Sequence, residues 1–221
     1  VKIVAIADTH RDYNVIIPKG DIFIHAGDID IVDITTFLLF CEWIKKLSHK
    51  YKIVIAGNHD SFAYNNSSLV KNTLAKAKVI YLENSGCEIK DIKFWGSPIT
   101  PTFMNWYFMA NRGPEIERYW KMIPQDTEVL ITHGPAHKIL DGVLYCYGDH
   151  HQGCEELRKY VDQIKPKLHI CGHIHGSSGI YQGENTLFVN ASVLDEEYKL
   201  AYHTKNLIKK KGNWYAETKD I

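Results

Sequence analysis

The sequence predicts a layered α/β fold, and three observations predict it. Apolar runs of strand length recur along the chain, amphipathic stretches of helix length lie between several of them, and the runs are bounded by Gly, Asp, Asn or His. In chain order, "KIVAIAD" (2–8), "DIFIHAGD" (21–28) and "YKIVIAGN" (51–58) read as buried strands. Between the last two, "DITTFLLFCEWIKKLSHK" (33–50) is long and amphipathic enough for a helix, with Asp33 as N-cap and basic residues crowding its end.

A second block begins near Gly86. "CEIKDIKFWGSP" reads as a hairpin, and "PEIERYWKMI" as a helix opened by Pro114. "EVLITHG" is a strand, "GCEELRKYVDQIKP" a helix and "KLHICGHIH" a strand. "GIYQGENTLFVNAS" alternates about a Gly-Glu-Asn turn as a hairpin does. Residues 105–113 are aromatic and irregular, as in a loop over a site. "YKLAYHTK" (198–205) reads as a final strand, followed by "KNLIKKKG" (205–212) as a solvated basic tail.

Composition narrows the classes. The 221 residues suit one large domain or two small ones, and 45% hydrophobic with 24% charged residues is ordinary for a globular protein. Lys plus Arg balance Asp plus Glu at 26 each. A general nucleic-acid or membrane-surface binder shows a basic excess, so neither is expected. No apolar run reaches membrane-spanning length and no signal peptide is visible. Five cysteines, Cys41, Cys87, Cys146, Cys154 and Cys171, form no CxxC pair. That odd set favours a reduced, cytoplasmic setting.

Twelve histidines direct attention to metal chemistry. Five strand-like runs end in donor residues: Asp8 and His10, Asp28, Asn58 with His59 and Asp60, His133, and His173 with His175. In open α/β sheets, sites form at the carboxyl ends of strands. Oxygen and imidazole donors without thiolate suit Mn2+ or Fe2+, with Zn2+, Ni2+ and Co2+ as alternatives. With His59 and Asp60 set aside, the remaining seven donors are too many for one ion and suit two. Two ions roughly 3.5–4 Å apart clamp a phosphoryl group and acidify a bridging water. His59 is then free to act as general acid, with Asp60 orienting it or holding a ligand in place.

The motifs DxH, GD, GNHD, HG and GHxH, in that order from Asp8 to His175, resemble those of the calcineurin-like metallophosphoesterase superfamily. The resemblance implies one domain over 1–221, a four-layer α/β/β/α sandwich of two mixed sheets flanked by helices. It implies that Asp8, His10 and His175 hold one metal, that Asn58, His133 and His173 hold the other, that Asp28 bridges them, and that His59 is the catalytic histidine. "IPKGDIFIHAGD", "WGSPITP", "THGPA" and "CGHIHG…FVNAS" look closer still to the metallophosphoesterase-domain-containing (MPPED-type) phosphodiesterases, some of which act on cyclic nucleotides. Certain vertebrate members of that group have glycine for the second histidine of GHxH and are weak enzymes; this chain has His175, so both metal sites are expected to be intact. Protein serine/threonine phosphatases carry Asp and Arg after their GD, where Ile31 and Val32 stand here. Purple acid phosphatases carry a tyrosine where Ile31 stands.

The expected function is a phosphodiesterase of small esters or nucleotides, with a phosphomonoesterase or a non-catalytic metal-binding scaffold as alternatives. Other residues carry weaker signals. Arg112, His150 and His151 are candidates for substrate contact. His25 reads as a core residue or a support for the ligands, and Asn190 as a strand-end cap or a similar support. Trp106, Tyr107 and Phe108 read as loop anchors or core rather than a stacking platform, and His49, His169 and His203 as structural or exposed.

Overall fold

The computed structural model describes residues 1–143 and 150–217; Cys146 lies outside them. The first half runs β1 (Lys2–Ile6), β2 (Ile22–Ala26), α1 (Ile34–Lys46), β3 (Tyr51–Ile55), α2 (Ser61–Asn65), α3 (Ser67–Lys76) and β4 (Ile80–Tyr81). Then come β5 (Ser85–Ile89), β6 (Ile92–Ser97), β7 (Thr100–Pro101), β8 (Met109–Ala110), α4 (Pro114–Trp120), β9 (Val129–Thr132), α5 (Glu155–Ile164) and β10 (Leu168–Cys171). The chain closes with β11 (Gly179–Gln182), β12 (Leu187–Asn190), β13 (Lys205–Lys210) and β14 (Asn213–Ala216).

The strands make two mixed six-stranded sheets, ordered β14-β13-β1-β2-β3-β4 and β11-β12-β10-β9-β6-β5. The runs are apolar at most positions because both faces are buried, with His25, Lys52 and His169 as buried exceptions. Ile3, Ala5, Ile22, Ile24, Ile53 and Ile55 of the first sheet pack against Phe94, Val129, Ile131, Leu168, Ile170 and Val189 of the second. Their odd-numbered and even-numbered neighbours turn outward. Val4, Ile6, Phe23 and Val54 meet Phe37, Phe40 and Ile44 of α1 and Val70 and Leu74 of α3, while Leu130 and Phe188 lie with Leu157 and Val161 of α5. The result is the expected α/β/β/α layering. Asp33 caps α1 through a capping box with Thr36, and Pro114 opens α4. Among the described residues no helix is long and apolar enough to cross a membrane.

Two expectations are corrected. "YKLAYHTK" does not form a strand of its own; regular pairing begins only at Lys205. "KNLIKKKG" is not a solvated tail but β13 and the start of its turn, antiparallel to β1 on one side and to β14 on the other. Leu207 and Trp214 of this hairpin are buried in the inter-sheet core. Lys209 is paired with Glu128 at 2.5 Å, so its charge is spent on an internal contact. Residues 105–113, expected to be irregular, include the two-residue strand β8, which pairs with β7, and two further helices, α2 and α3, fill 61–76.

Candidate metal centre

The carboxyl ends of β1, β2, β3, β9 and β10 meet at one rim of the sandwich, where the sheets are stitched together. Ala7 donates to Ala191 (2.8 Å) and accepts from Val193 (3.1 Å). His133 Nδ1 donates to the Ala26 carbonyl across the sheets at 2.9 Å. The backbone turns sharply at this rim. Asp8, His10, Arg11, Asp28, Asp30 and His173 all have positive φ, between 41° and 70°. Such conformations are costly for residues with a Cβ, persist only where the surroundings enforce them, and concentrate at functional sites. Here enforcement comes from Asp8 N donating to Gly27 O (2.9 Å) and His10 N to Asp28 O (3.2 Å).

Two glycines let the carboxylates in. A Cβ on Gly57 would lie 2.3 Å from Asp28 Oδ1, and one on Gly172 would lie 2.4 Å from Asp8 Oδ2. This is why GNHD and GHxH open on glycine: backbone must pass against an acid with no side chain between.

The donor atoms fall into neighbouring groups. Those of Asp8, His10 and His175 lie within 4.8 Å of one another, and so do those of Asp28, His133 and His173. Asn58 Oδ1 is 3.0 Å from His133 Nε2, which adds it to the second group. Asp28 Oδ2 lies 3.2 Å from His133 Nε2 and 3.8 Å from His10 Nε2, between the two groups. His10, Asp30 and His59 form a third overlapping set. His10 Nε2 is buried without a hydrogen-bond partner among the described residues. An orphaned imidazole nitrogen facing carboxylates is costly unless a cation fills the space, so the residues present fit divalent ions.

The ligand candidates are held from behind. His133 and His175 give their Nδ1 protons to the carbonyls of Ala26 and Asp195, which turns each Nε2 inward. Asp8 accepts from the His173 amide at 2.9 Å and from Ser192 Oγ, itself bonded to Asn190 Oδ1. Asn190 Nδ2 donates to the Ile174 carbonyl at 2.8 Å, so it fixes the GHxH loop. His25 is buried and bonded to Thr9, inside the DxH turn.

Electrostatics at the metal-free centre are those of imidazolium–carboxylate pairs. Burial opposes charge on His133, but the Asp28 carboxylate outweighs it and raises the imidazole to about 9. Burial likewise opposes charge on His175, and Asp8 raises it to about 9. His173, deeply buried and facing the His133 charge, drops to about 4. Burial, then the Asp28 charge, pushes Asp60 up to about 7.

The centre opens into a cavity of about 530 Å³ lined by Asp28, Asn58, His59, His173 and His175, with Phe103, Trp106 and Tyr198 among its walls. His59 stands at the metal side of it, its amide donating to Asp28 at 2.9 Å. Asp60 does not orient His59. Its carboxylate points into the protein and accepts from the amides of Gly57 (2.7 Å) and Ile31 (3.0 Å), tying the GNHD turn to the GD turn. Arg112 lines the cavity, yet its guanidinium is engaged by the Gln152 and Gly153 carbonyls and by Glu155. His151 bonds Asp141 and His150 bonds the Val143 carbonyl; neither is among the cavity-lining residues described. Ser192 and Tyr198 also belong to the site, although the sequence marks neither: Tyr198 was expected to open a strand and instead lies in a turn. The first is recognisable only through its contact 184 residues away; the second sits in a polar loop, its ring 4.7 Å from that of His10.

A family model described as calcineurin-like phosphoesterase matches residues 1–177. The chain is 34% identical over 224 residues to metallophosphoesterase domain-containing protein 1 of Homo sapiens, covering 90% of this chain and 68% of that protein. It is 36% identical over 206 residues to a UPF0046 protein of Caenorhabditis elegans, covering 87% of this chain and 69% of that one. In fold it is similar to the phosphopantetheinyl hydrolase of Mycobacterium tuberculosis, with a TM-score of 0.62 at 14% identity over 89% of this chain and 90% of that chain.

Proposed function

The chain belongs to the calcineurin-like phosphoesterase family, and from that premise we propose that it is a metal-dependent phosphodiesterase of small substrates. We take 1–221 as one domain, its inter-sheet core drawn from both halves of the chain. Its carrying observation is the pair of donor groups, Asp8/His10/His175 and Asp28/His133/His173 with Asn58, set on either side of one carboxylate at the floor of an open cavity.

Asp8, His10 and His175 would hold one divalent ion and Asn58, His133 and His173 another, with Asp28 available to both. When bound, such a pair supplies Lewis-acid charge to the phosphoryl oxygens and an acidified water as nucleophile. His59 projects into the cavity beside Asp28 and Asn58, where it gives a proton to the leaving oxygen. A diester is favoured over a monoester by the lining. Arg112 is the sole Lys or Arg among the described lining residues, and its guanidinium is already satisfied. A monoester brings close to two charges at neutral pH and a diester one, so a wall of Phe103, Trp106 and Tyr198 suits the second arm of a diester.

The test is hydrolysis of bis-p-nitrophenyl phosphate against p-nitrophenyl phosphate with added manganese. Faster turnover of the diester, abolished by chelation, supports the reading. Faster turnover of the monoester would identify a phosphomonoesterase. Bound metal without turnover of either would identify a scaffold.

A further inference from the structure

Among the described residues, the His59 imidazole accepts and donates no hydrogen bond; one of its nitrogens lies within 4.8 Å of donor atoms of His10 and Asp30, and its ring contacts are with His10 and Trp106. The ring meets the edge of His10 at 4.9 Å between centroids, and Trp106 covers it at 4.5 Å with the planes inclined by 47°. Trp106 comes from the loop between β7 and β8, and that loop is anchored to the turn that carries His59. Tyr107 N donates to the Asn58 carbonyl at 3.2 Å. Phe108 is buried, and Tyr64 packs on both Tyr107 and Phe108. At the base, Thr100 N bonds Phe108 O and Thr102 N bonds Ala110 O, each at 3.0 Å. Phe103 then braces the outer edge of Trp106 at 5.8 Å.

From this arrangement we infer that Trp106 is the positioning residue for His59: its ring face fixes the direction in which the imidazole presents its proton to the leaving oxygen. The inference rests on the role given to His59 above. A proton donor contributes only if its N–H reaches the departing atom in line, and misplacement by about 1 Å can cost on the order of 100-fold. Usually a hydrogen-bonded carboxylate or carbonyl fixes such a ring; here Asp30 lies within 4.8 Å without a hydrogen bond, and an indole packs on the ring from a loop joined to the His59 turn by a backbone hydrogen bond. Trp106 is more than a third exposed, so burial alone does not account for its place.

The experiment compares diphenyl phosphate, which leaves as the poorer phenolate, with bis-p-nitrophenyl phosphate, which leaves as p-nitrophenolate. The two are closely matched in shape. Trp106→Ala should lower kcat for diphenyl phosphate about 10- to 100-fold, with little effect on bis-p-nitrophenyl phosphate and unchanged metal content. Trp106→Phe, which retains a ring face, should restore most of the loss. Trp106→Leu, which retains apolar bulk without a ring face, should not. In a His59→Ala background the Trp106→Ala change should have almost no further effect on the diphenyl ester, because the group it positions is gone. Equal slowing of both esters, loss of metal, or full rescue by Leu would overturn the inference and leave Trp106 as a wall of the cavity. The reading of function fails separately, and is recognised by a wild-type protein that hydrolyses neither ester with metal present.

Discussion

His133 and His175 carry, in the metal-free protein, protons that an unfolded histidine would release near pH 6.5. Because both are raised to about 9, their protonation stabilises the metal-free fold fully below about pH 6.5, and that contribution disappears as the pH climbs to about 9. The melting temperature of chelated protein should therefore fall across this window. Metal requires neutral imidazole, so the increment in melting temperature on adding manganese should grow across the same window, with protons released on binding. Calorimetry in buffers of different ionisation enthalpy measures both; a metal increment that shrinks with pH would remove these two histidines from the ligand set. His59→Asn should behave differently from either, losing on the order of 10²–10⁴ in kcat with metal content intact. Asn58→Ala should instead weaken the second ion, as elemental analysis would report. The residues gathered at the centre were legible in sequence because each ends an apolar run and several follow a glycine. Asp60 was legible only in part. Its position beside His59 suggested a partner for that ring, whereas the turn aims its carboxylate inward at two amides. Ser192 was not legible at all, since nothing local marks a serine that touches Asp8 from the far end of the chain.

At the level of elements, strands buried on both faces announced themselves through unbroken apolar runs. The β13–β14 hairpin did not, because an edge pair needs only one apolar face and covers the rest with lysines. Its turn left one overlooked sign. Lys210 pairs with Asn213, leaving Lys211 and Gly212 as a two-residue loop with φ of 48° and 83°, the mirror-image turn that suits a twisted hairpin. Trp214, only 3% exposed, pins this hairpin to the inter-sheet core and donates its indole N–H to Glu128. Trp214→Ala should cost roughly 3–5 kcal/mol. Denaturant unfolding would show it as a lower midpoint, and exposure of the β1 edge should make the variant prone to association. An unchanged midpoint would mean that the hairpin is an accessory to the first sheet and not part of its closure.

For the molecule as a whole, bound metal and the sandwich would support each other. The donors come from both sheets, so an ion held by His133 or His173 together with Asp28 or Asn58 cross-links them. Ions at about 100 times their dissociation constant should add roughly 2.7 kcal/mol per site to unfolding, and Asp28→Ala should forfeit most of that increment along with both ions. The stitches at the rim have a consequence for how the protein is made. Ala7 is bonded to Ala191 and Val193, and Asp8 to His173 and Ser192. A growing chain that has emerged through the helix α5 displays five of the seven donors, Asp8, His10, Asp28, Asn58 and His133, but not His173, His175 or the segment that bonds Ala7 and Asp8. The centre therefore comes into being late, when the last third of the polypeptide folds back on the first strand. Contacts of such long sequence separation slow folding. Until residues 173–193 have been made, each donor group lacks one histidine and Asp8 lacks the partners that fix it.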